Sequence, residues 1–342
     1  MFTQTLIAWT KVHGRKHLPW IGCKDPYRVW LSEIMLQQTQ AETAVAYYER
    51  FLAHFPDVFT LAKASVEEVL HLFSGLGYYR RAVYLHQTAQ RIANDCHGIF
   101  PQDPEVLQTF PGIGRSTAAA IAVFSFGKKA AILDGNVKRI LSRVFLVQEP
   151  SESKRTALLW RRAENLLPEQ DIETYTQGLM DFGSTLCTPK APLCGSCPMA
   201  AFCKAYLQNR VDDLPVKKSP LAKHDKTFWV PLITFGNATY LEKRPALGIW
   251  AQMWMMPLFE NEESCSSFLS HFTIDSCEPL VPMRHELTHL RLQLNPVLAK
   301  ARQGMRQVGE KNVGFFTVGE SQNLAMPKPG RVLLDWLVKD KN

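Results

Sequence analysis

Nowhere among the 342 residues do about 18 apolar residues run consecutively, so no membrane-spanning helix is expected. The first twenty residues, Met1 to Trp20, lack a continuous apolar core and carry Lys11, Arg15 and Lys16 close together. A secretory leader is therefore not expected, and a cytoplasmic setting is. In such a setting the eight cysteines are expected to be thiols or metal ligands rather than disulfides. Internal repeats and low-complexity tracts are missing, which sets aside solenoids and arrays. Strand-like alternation is almost absent before Leu207.

What is present points to two domains, because 342 residues exceed one comfortable small core. A net charge of +7 is compatible with a polyanionic partner without identifying one. Residues 1–206 read as mainly α, with helical spacing over Tyr27–Phe51, Ser65–Leu72, Arg81–Asp95 and Thr117–Phe126. Residues 207–226, rich in Pro, Lys and Asp, read as a linker. Residues 227–342 read as α+β. Strands are expected over Thr227–Phe235, Thr239–Glu242, Arg291–Leu294 and Gly314–Val318, and helices over Ser264–His271 and Arg331–Val338.

Cys187, Cys194, Cys197 and Cys203 are spaced C-x6-C-x2-C-x5-C. Pro189, Pro192, Gly195 and Pro198 between them disfavour a helix, so the thiols can converge. Four thiolates in one compact loop suit an iron–sulfur cluster. Structural zinc stays open as the competitor, though it usually draws on two paired knuckles. Cys23, Cys96, Cys265 and Cys277 lack such spacing and are expected to be buried thiols.

Leu107 to Gly127 reads as a short helix, the turn Pro111-Gly112-Ile113-Gly114, and an Ala-rich helix starting near Ser116. Glycines allow close backbone approach, and the following helix N-terminus favours a phosphate. A plain glycine-capped turn would look the same. Thr117 stands where a dinucleotide fingerprint needs its third glycine.

Two carboxylates draw notice. Glu33 has Val29, Trp30, Leu36 and Gln37 as its helical neighbours, a mostly apolar face on which desolvation raises a carboxyl pKa. A partly buried, locally satisfied Glu is the plainer alternative. Asp134 opens Asp134-Gly135-Asn136 before a helix near Val137, the place of a helix cap.

In order along the chain, these pieces resemble the MutY-type adenine DNA glycosylases. Trp30-Leu31-Ser32-Glu33-Ile34-Met35-Leu36-Gln37-Gln38-Thr39-Gln40 is similar to their catalytic-Glu helix. Gly75-Leu76-Gly77-Tyr78-Tyr79-Arg80 is similar to their DNA-intercalating loop, and Pro111 to Thr117 to their helix-hairpin-helix. Leu133 to Arg139 is similar to the catalytic-Asp segment, and the four cysteines to their [4Fe–4S] loop. The resemblance covers about residues 15–206 and implies a six-helix barrel with an iron–sulfur module. It implies that Glu33 protonates adenine N7, that Asp134 stabilises the cationic sugar, and that Asn136 stands nearby. Gln38, Thr39, Leu76, Gly77 and Tyr78 would fill or wedge the stack, Tyr78 counting also with the catalytic set. Trp20 and Gln177 would touch the flipped base. Gly112, Gly114, Ser116 and Lys138 would meet the DNA backbone.

Endonuclease III-type relatives carry a catalytic Lys where this hairpin has Ser116, and lack a Glu at position 33. The resemblance thus implies a monofunctional glycosylase without a Schiff-base step. Gly248-Ile249-Trp250 through Pro257-Leu258-Phe259 resembles the MutT-like, Nudix-derived domain of the same family. No RExxEE metal signature follows, so recognition without hydrolysis is expected there. Arg284-His285-Glu286-Leu287-Thr288-His289 is similar to the loop that reads 8-oxoguanine, with Leu287-Thr288 in place of Phe-Ser. Thr288 and His289 are the expected contacts. The implied partner is duplex DNA with adenine opposite 8-oxoguanine or guanine, bound by a monomer.

Overall fold

The computed structural model describes residues 1–216, 222–303 and 312–339. Part of the expected linker, 217–221, lies outside the described residues. The chain divides into two compact units, Met1–Lys63 with Tyr84–Ser219, and Ala64–Val83 with Pro220–Asn342.

The first unit is helical: α1 (Phe2–His13), α2 (Pro26–Leu36), α3 (Ala41–His54) and α4 (Val58–Lys63) lie before the break. The segment 64–83, which belongs to the second unit, holds α5 (Val66–Phe73), and α6 (Arg80–Asp95) runs back into the first. Then come α7 (Pro104–Leu107), α8 (Arg115–Phe126), α9 (Gly135–Phe145), α10 (Glu152–Asn165), α11 (Ile172–Thr185) and, past two short 3-10 turns, α12 (Lys204–Leu207).

Local chemistry sets several of these ends. Asp25 caps α2 by accepting from Tyr27 N at 2.9 Å, with Pro26 at the first helical position. The expected single helical run over Tyr27–Phe51 is in fact two helices. Gln38 takes a left-handed φ of 57° between them, which no α-helix accommodates. A left-handed non-glycine residue is strained, and such residues cluster at functional sites.

The core of this unit gathers Leu6, Ile132, Leu133, Val137, Ile140, Leu141, Tyr175, Leu179, Phe182 and Met199. α1 packs on α11 at close range, because a Cβ on Gly178 would fall 2.1 Å from Thr10 Oγ1. Leu214 joins the same core at 2% exposure, so the chain stays fastened to the helical unit well past α12.

The second unit holds a seven-stranded mixed sheet: β1 (His224–Phe235), β2 (Ala238–Lys243), β3 (Trp254–Met255), β4 (Thr273–Pro279), β5 (Met283–Glu286), β6 (Leu290–Gln303) and β7 (Val313–Thr317). The order is β3-β2-β1-β6-β4, with β5 on β6 and β7 on β2. β1 and β6 run parallel from His224↔Leu290 to Thr234↔Lys300. Side chains alternate between faces along β1. Val230 and Leu232 join Leu333 and Leu334 of α15 (Lys328–Lys339), while Ile233 joins Phe272 and Phe268 of α13 (Glu262–Leu269) and its following turn. A further short helix, α14, spans Val318–Gln322. Covering both faces explains why Phe228 to Ile233 reads as an apolar run.

Of the four unclustered cysteines, Cys265 is buried and Cys23 and Cys96 are half-buried, but Cys277 is exposed. It sits on β4, whose residues are almost all exposed. The expectation of burial fails there because a lone cysteine carries no pattern that reveals an open strand.

Candidate active site

In the helical unit, α2, α8, α9, α11 and the segment after α1 surround a cavity of about 1100 Å3. Trp20, Glu33, Gln38, Thr39, Ser116, Asp134, Asn136 and Gln177 all line it. The structure thus brings together eight expected residues from five separate stretches of chain.

Glu33 rises from the middle of α2, between the buried Ser32 and Ile34. Burial, and then the negative charge of Asp134, push its carboxyl up to about 8. Asp134 is the N-cap of α9: its Oδ1 accepts from Val137 N at 2.8 Å. Burial raises its pKa as well, while the N–H groups of Val137 and Asn136 and then the nearby Arg139 and Lys138 pull it down. The two carboxyls are coupled, and only one of them sits on a helix N-terminus. Orphan N–H donors there work against the effect of burial and favour the Asp134 anion. Capping and cavity lining are one role for Asp134: the cap aims the carboxylate, and Gly135 offers no Cβ to cover it.

The hairpin joins this site through Ser116, whose hydroxyl accepts from Leu133 N at 3.0 Å. Gly112 takes φ +75° and presses on Tyr84, where a Cβ would come within 2.9 Å of the Tyr84 Cβ. Gly114 is the N-cap of α8 and supplies no side-chain cap, leaving the first N–H groups of a 12-residue helix available. Gly112 and Gly114 lie outside the cavity lining, as does Lys138, which lines a neighbouring cleft of about 690 Å3 with Arg139, Arg143 and Arg155.

Sequence reading missed Arg15 and Asp181. Asp181, fully buried, accepts Arg15 Nε at 2.8 Å, Arg15 N at 3.0 Å and Gln177 Nε2 at 2.9 Å. The Gln177 amide is therefore oriented by a group one helical turn along α11. The i+4 spacing of Gln177 and Asp181 was the available signal.

Cys187, Cys194, Cys197 and Cys203 line one small cavity together with Arg143. Burial pushes the thiols of Cys194 and Cys203 up and that of Cys197 up to about 11, so loading a metal group must displace protons. Among the described residues no three metal-binding side chains converge on a single ion. Thiols spread around one cavity suit a polynuclear group in which each iron takes one sulfur.

Leu76, Gly77 and Tyr78 lie in the second unit, as do Thr288 and His289. Gly77 has φ +76° and Tyr78 φ +50°, and the Tyr78 ring is 46% exposed on top of a strained turn. Arg81 braces that turn, donating to Gly77 O at 2.9 Å. Thr288 and His289 form the exposed tip of the β5–β6 hairpin, closed by Leu287 N to Leu290 O at 2.8 Å.

A carboxyl pushed up to about 8 by burial and a second carboxyl on a helix N-terminus, both lining one cavity, suit general acid chemistry of the kind that cleaves an N-glycosyl bond. The helical unit belongs to that class: residues 31–165 match the HhH-GPD superfamily base excision DNA repair proteins. Residues 187–203 match the iron-sulfur binding domain of endonuclease III, and residues 229–336 match the NUDIX domain. An adenine DNA glycosylase of Buchnera aphidicola subsp. Baizongia pistaciae is 37% identical over 332 residues, 96% of this chain and 94% of that one. The human adenine DNA glycosylase is 38% identical over 214 residues, 60% of this chain and 39% of its own length. Among solved structures, a thermostable thymine-DNA glycosylase superposes with a TM-score of 0.56 at 31% identity, covering 60% of this chain and 95% of that one. A non-covalent endonuclease III–DNA complex gives 0.54 at 17% identity, over 61% of this chain and 94% of that one, a likeness of fold alone.

The chain belongs to the adenine DNA glycosylases. It is a hydrolase of N-glycosyl bonds in base excision repair, with a [4Fe–4S] loop and a Nudix-like C-terminal domain. Among the described residues no helix is long and apolar enough to cross a membrane.

Proposed function

We propose that this monomeric enzyme excises adenine opposite 8-oxoguanine, or opposite guanine, by acid-assisted dissociative hydrolysis and without cutting the strand. The observation that carries the reading is the Glu33–Asp134 pair, one carboxyl raised to about 8 and the other seated on a helix N-terminus.

Adenine leaves poorly as an anion. Glu33 gives its proton to N7 of the flipped base, the electron pair of the C1′–N9 bond moves onto the ring, and neutral adenine departs. The C1′ cation left behind is stabilised by the Asp134 carboxylate, with Asn136 beside it. A water then adds to C1′ and surrenders a proton to Glu33, which restores the acid. Trp20 and Gln177 hold the base in the cavity. Flipping costs a few kcal/mol, offset by Gln38, Thr39, Leu76, Gly77 and Tyr78 filling or wedging the stack and by phosphate contacts at Gly112, Gly114, Ser116 and Lys138. Thr288 and His289, on their hairpin tip, read the base opposite. Cys187, Cys194, Cys197 and Cys203 hold the cluster, which when bound ties the loop into one piece.

The supporting observation for a monofunctional reaction is chemical: Ser116 offers no amine, so no Schiff base can form at that position. The test is strand scission after alkali on duplexes with adenine opposite 8-oxoguanine, guanine and thymine. Cleavage of the first two and not the third is expected, with no protein–DNA adduct on borohydride treatment. Strong borohydride trapping of the unaltered enzyme would overturn the monofunctional reading.

A further inference from the structure

α9 carries two arginines one turn apart on a single face, Arg139 and Arg143, and both reach the cysteine loop. Arg139 grips backbone, donating to Cys187 O at 2.7 Å and Gly183 O at 2.6 Å. Arg143 does something different. Its Nη1 donates to Thr188 O at 2.7 Å and also approaches the Cys187 sulfur at 3.5 Å. Its Nε donates to Leu214 O at 3.0 Å and Val211 O at 3.2 Å. It is 2% exposed, its donors go to three carbonyls and a sulfur rather than to a carboxylate, and it supplies the cation in the lining of the four-thiol cavity.

A buried guanidinium normally finds a carboxylate, because an unpaired charge is costly in low dielectric. Here the cavity it lines holds the four cysteines, and the anion facing it would be the cluster they bind. Four thiolates around a [4Fe–4S] core leave a net charge of about −2. A fixed cation and an N–H donor against one of its sulfurs favour the more negative, reduced state over the oxidised one.

We propose that Arg143 is a positioning residue that sets the cluster's resistance to oxidation, through its contact with Cys187 Sγ and its charge in the thiol-lined cavity. This rests on reading the four cysteines as the ligands. The step concerned is loss of one electron from the cluster to an added oxidant such as ferricyanide, with no bond made or broken.

The test compares the wild type with Arg143→Met, Arg143→Lys and Arg155→Met. Arg155 is another buried arginine of this unit, donating to Glu149 O and Pro150 O and absent from the thiol-lined cavity. Iron and sulfide are measured first, then oxidation is titrated by the visible charge-transfer band and by paramagnetic resonance of the oxidised form. In Arg143→Met the ratio of oxidised to reduced cluster at a fixed potential is expected to rise about tenfold, or ~59 mV for one electron. Arg143→Lys keeps the charge but not the planar fork, so a smaller rise is expected. Arg155→Met is expected to titrate as wild type. A ratio within about twofold of wild type in Arg143→Met would overturn the proposal. If that variant takes up no iron, Arg143→Lys decides: equality with Arg155→Met rejects the proposal, and easier oxidation supports it. Wild-type protein that holds no iron would instead remove the ligand assignment on which this stands.

Discussion

Ser116 Oγ accepts the Leu133 N–H at 3.0 Å, so the start of α8 and the segment presenting Asp134 are joined by one hydrogen bond. Ser116→Ala leaves that N–H without its acceptor beside a buried residue. Loss of about 1–3 kcal/mol of stability is expected, read as a lower urea midpoint, together with weaker binding to duplex because Ser116 is also proposed to meet a phosphate. An unaltered midpoint would mean that water replaces the hydroxyl.

Glu33→Gln keeps the shape of the acid and removes its proton. Single-turnover excision of adenine is expected to slow by at least about 100- to 10,000-fold, the usual worth of a general acid. DNA affinity is expected to persist. Near-normal excision would contradict the assigned role.

The raised pKa also fixes a sign with pH. In the proposed mechanism the rate depends on protonated Glu33, so single-turnover excision is expected to slow as pH climbs through about 8. Stability follows the same group: between the ordinary 4.5 and about 8, folded Glu33 holds a proton that the unfolded chain has released. Unfolding then releases a proton, and stability falls with rising pH across that window. Glu33→Gln should flatten this part of the curve and melt higher than wild type at pH near 8. A steeper fall in the variant would refute the linkage.

Arg15→Ala strips a fully buried carboxylate of its charged partner. The cost expected is about 3 kcal/mol, the low end for breaking a buried pair, because Gln177 Nε2 and the residue-15 N–H still donate. Calorimetry checks the stability. A companion loss of adenine affinity is expected because Gln177 is oriented through the same Asp181.

Thr288→Ala with His289→Ala removes two exposed side chains at a hairpin tip. The unfolding free energy is expected to stay within the small range of ordinary surface changes, roughly ±0.5 kcal/mol. The ratio of excision opposite 8-oxoguanine to excision opposite guanine should drop. An unchanged ratio would place the reading of the opposite base elsewhere.

How much was legible depended on distance along the chain. Asp134 announces a helix start from the residues just after it, and it forms that cap. The cysteine loop is equally local, spanning Cys187 to Cys203. Asp181 is different: Arg15, its ion partner, is 166 residues away, and no spacing rule links them. Arg143 is equally silent in the sequence, since its partners Cys187 and Leu214 lie 44 and 71 residues away. The parallel pairing of β1 with β6 was hidden as well, since both read as strands but nothing local names a partner. The two helices expected as one over Tyr27–Phe51 show the converse, where apolar periodicity runs across a strained corner at Gln38 and conceals it.

The parallel register of β1 and β6 has a consequence for biosynthesis. His224 waits for Leu290 and Thr234 for Lys300, so the central ladder of this sheet cannot zip until 66 further residues have been made. The nascent second unit must leave the ribosome with β1 unmated on that side, and its apolar stretch from Phe228 to Ile233 is then open to wrong partners. Holdase chaperones and slow overexpression at low temperature should matter for yield of the intact chain, at the point where this strand is still waiting for its mate.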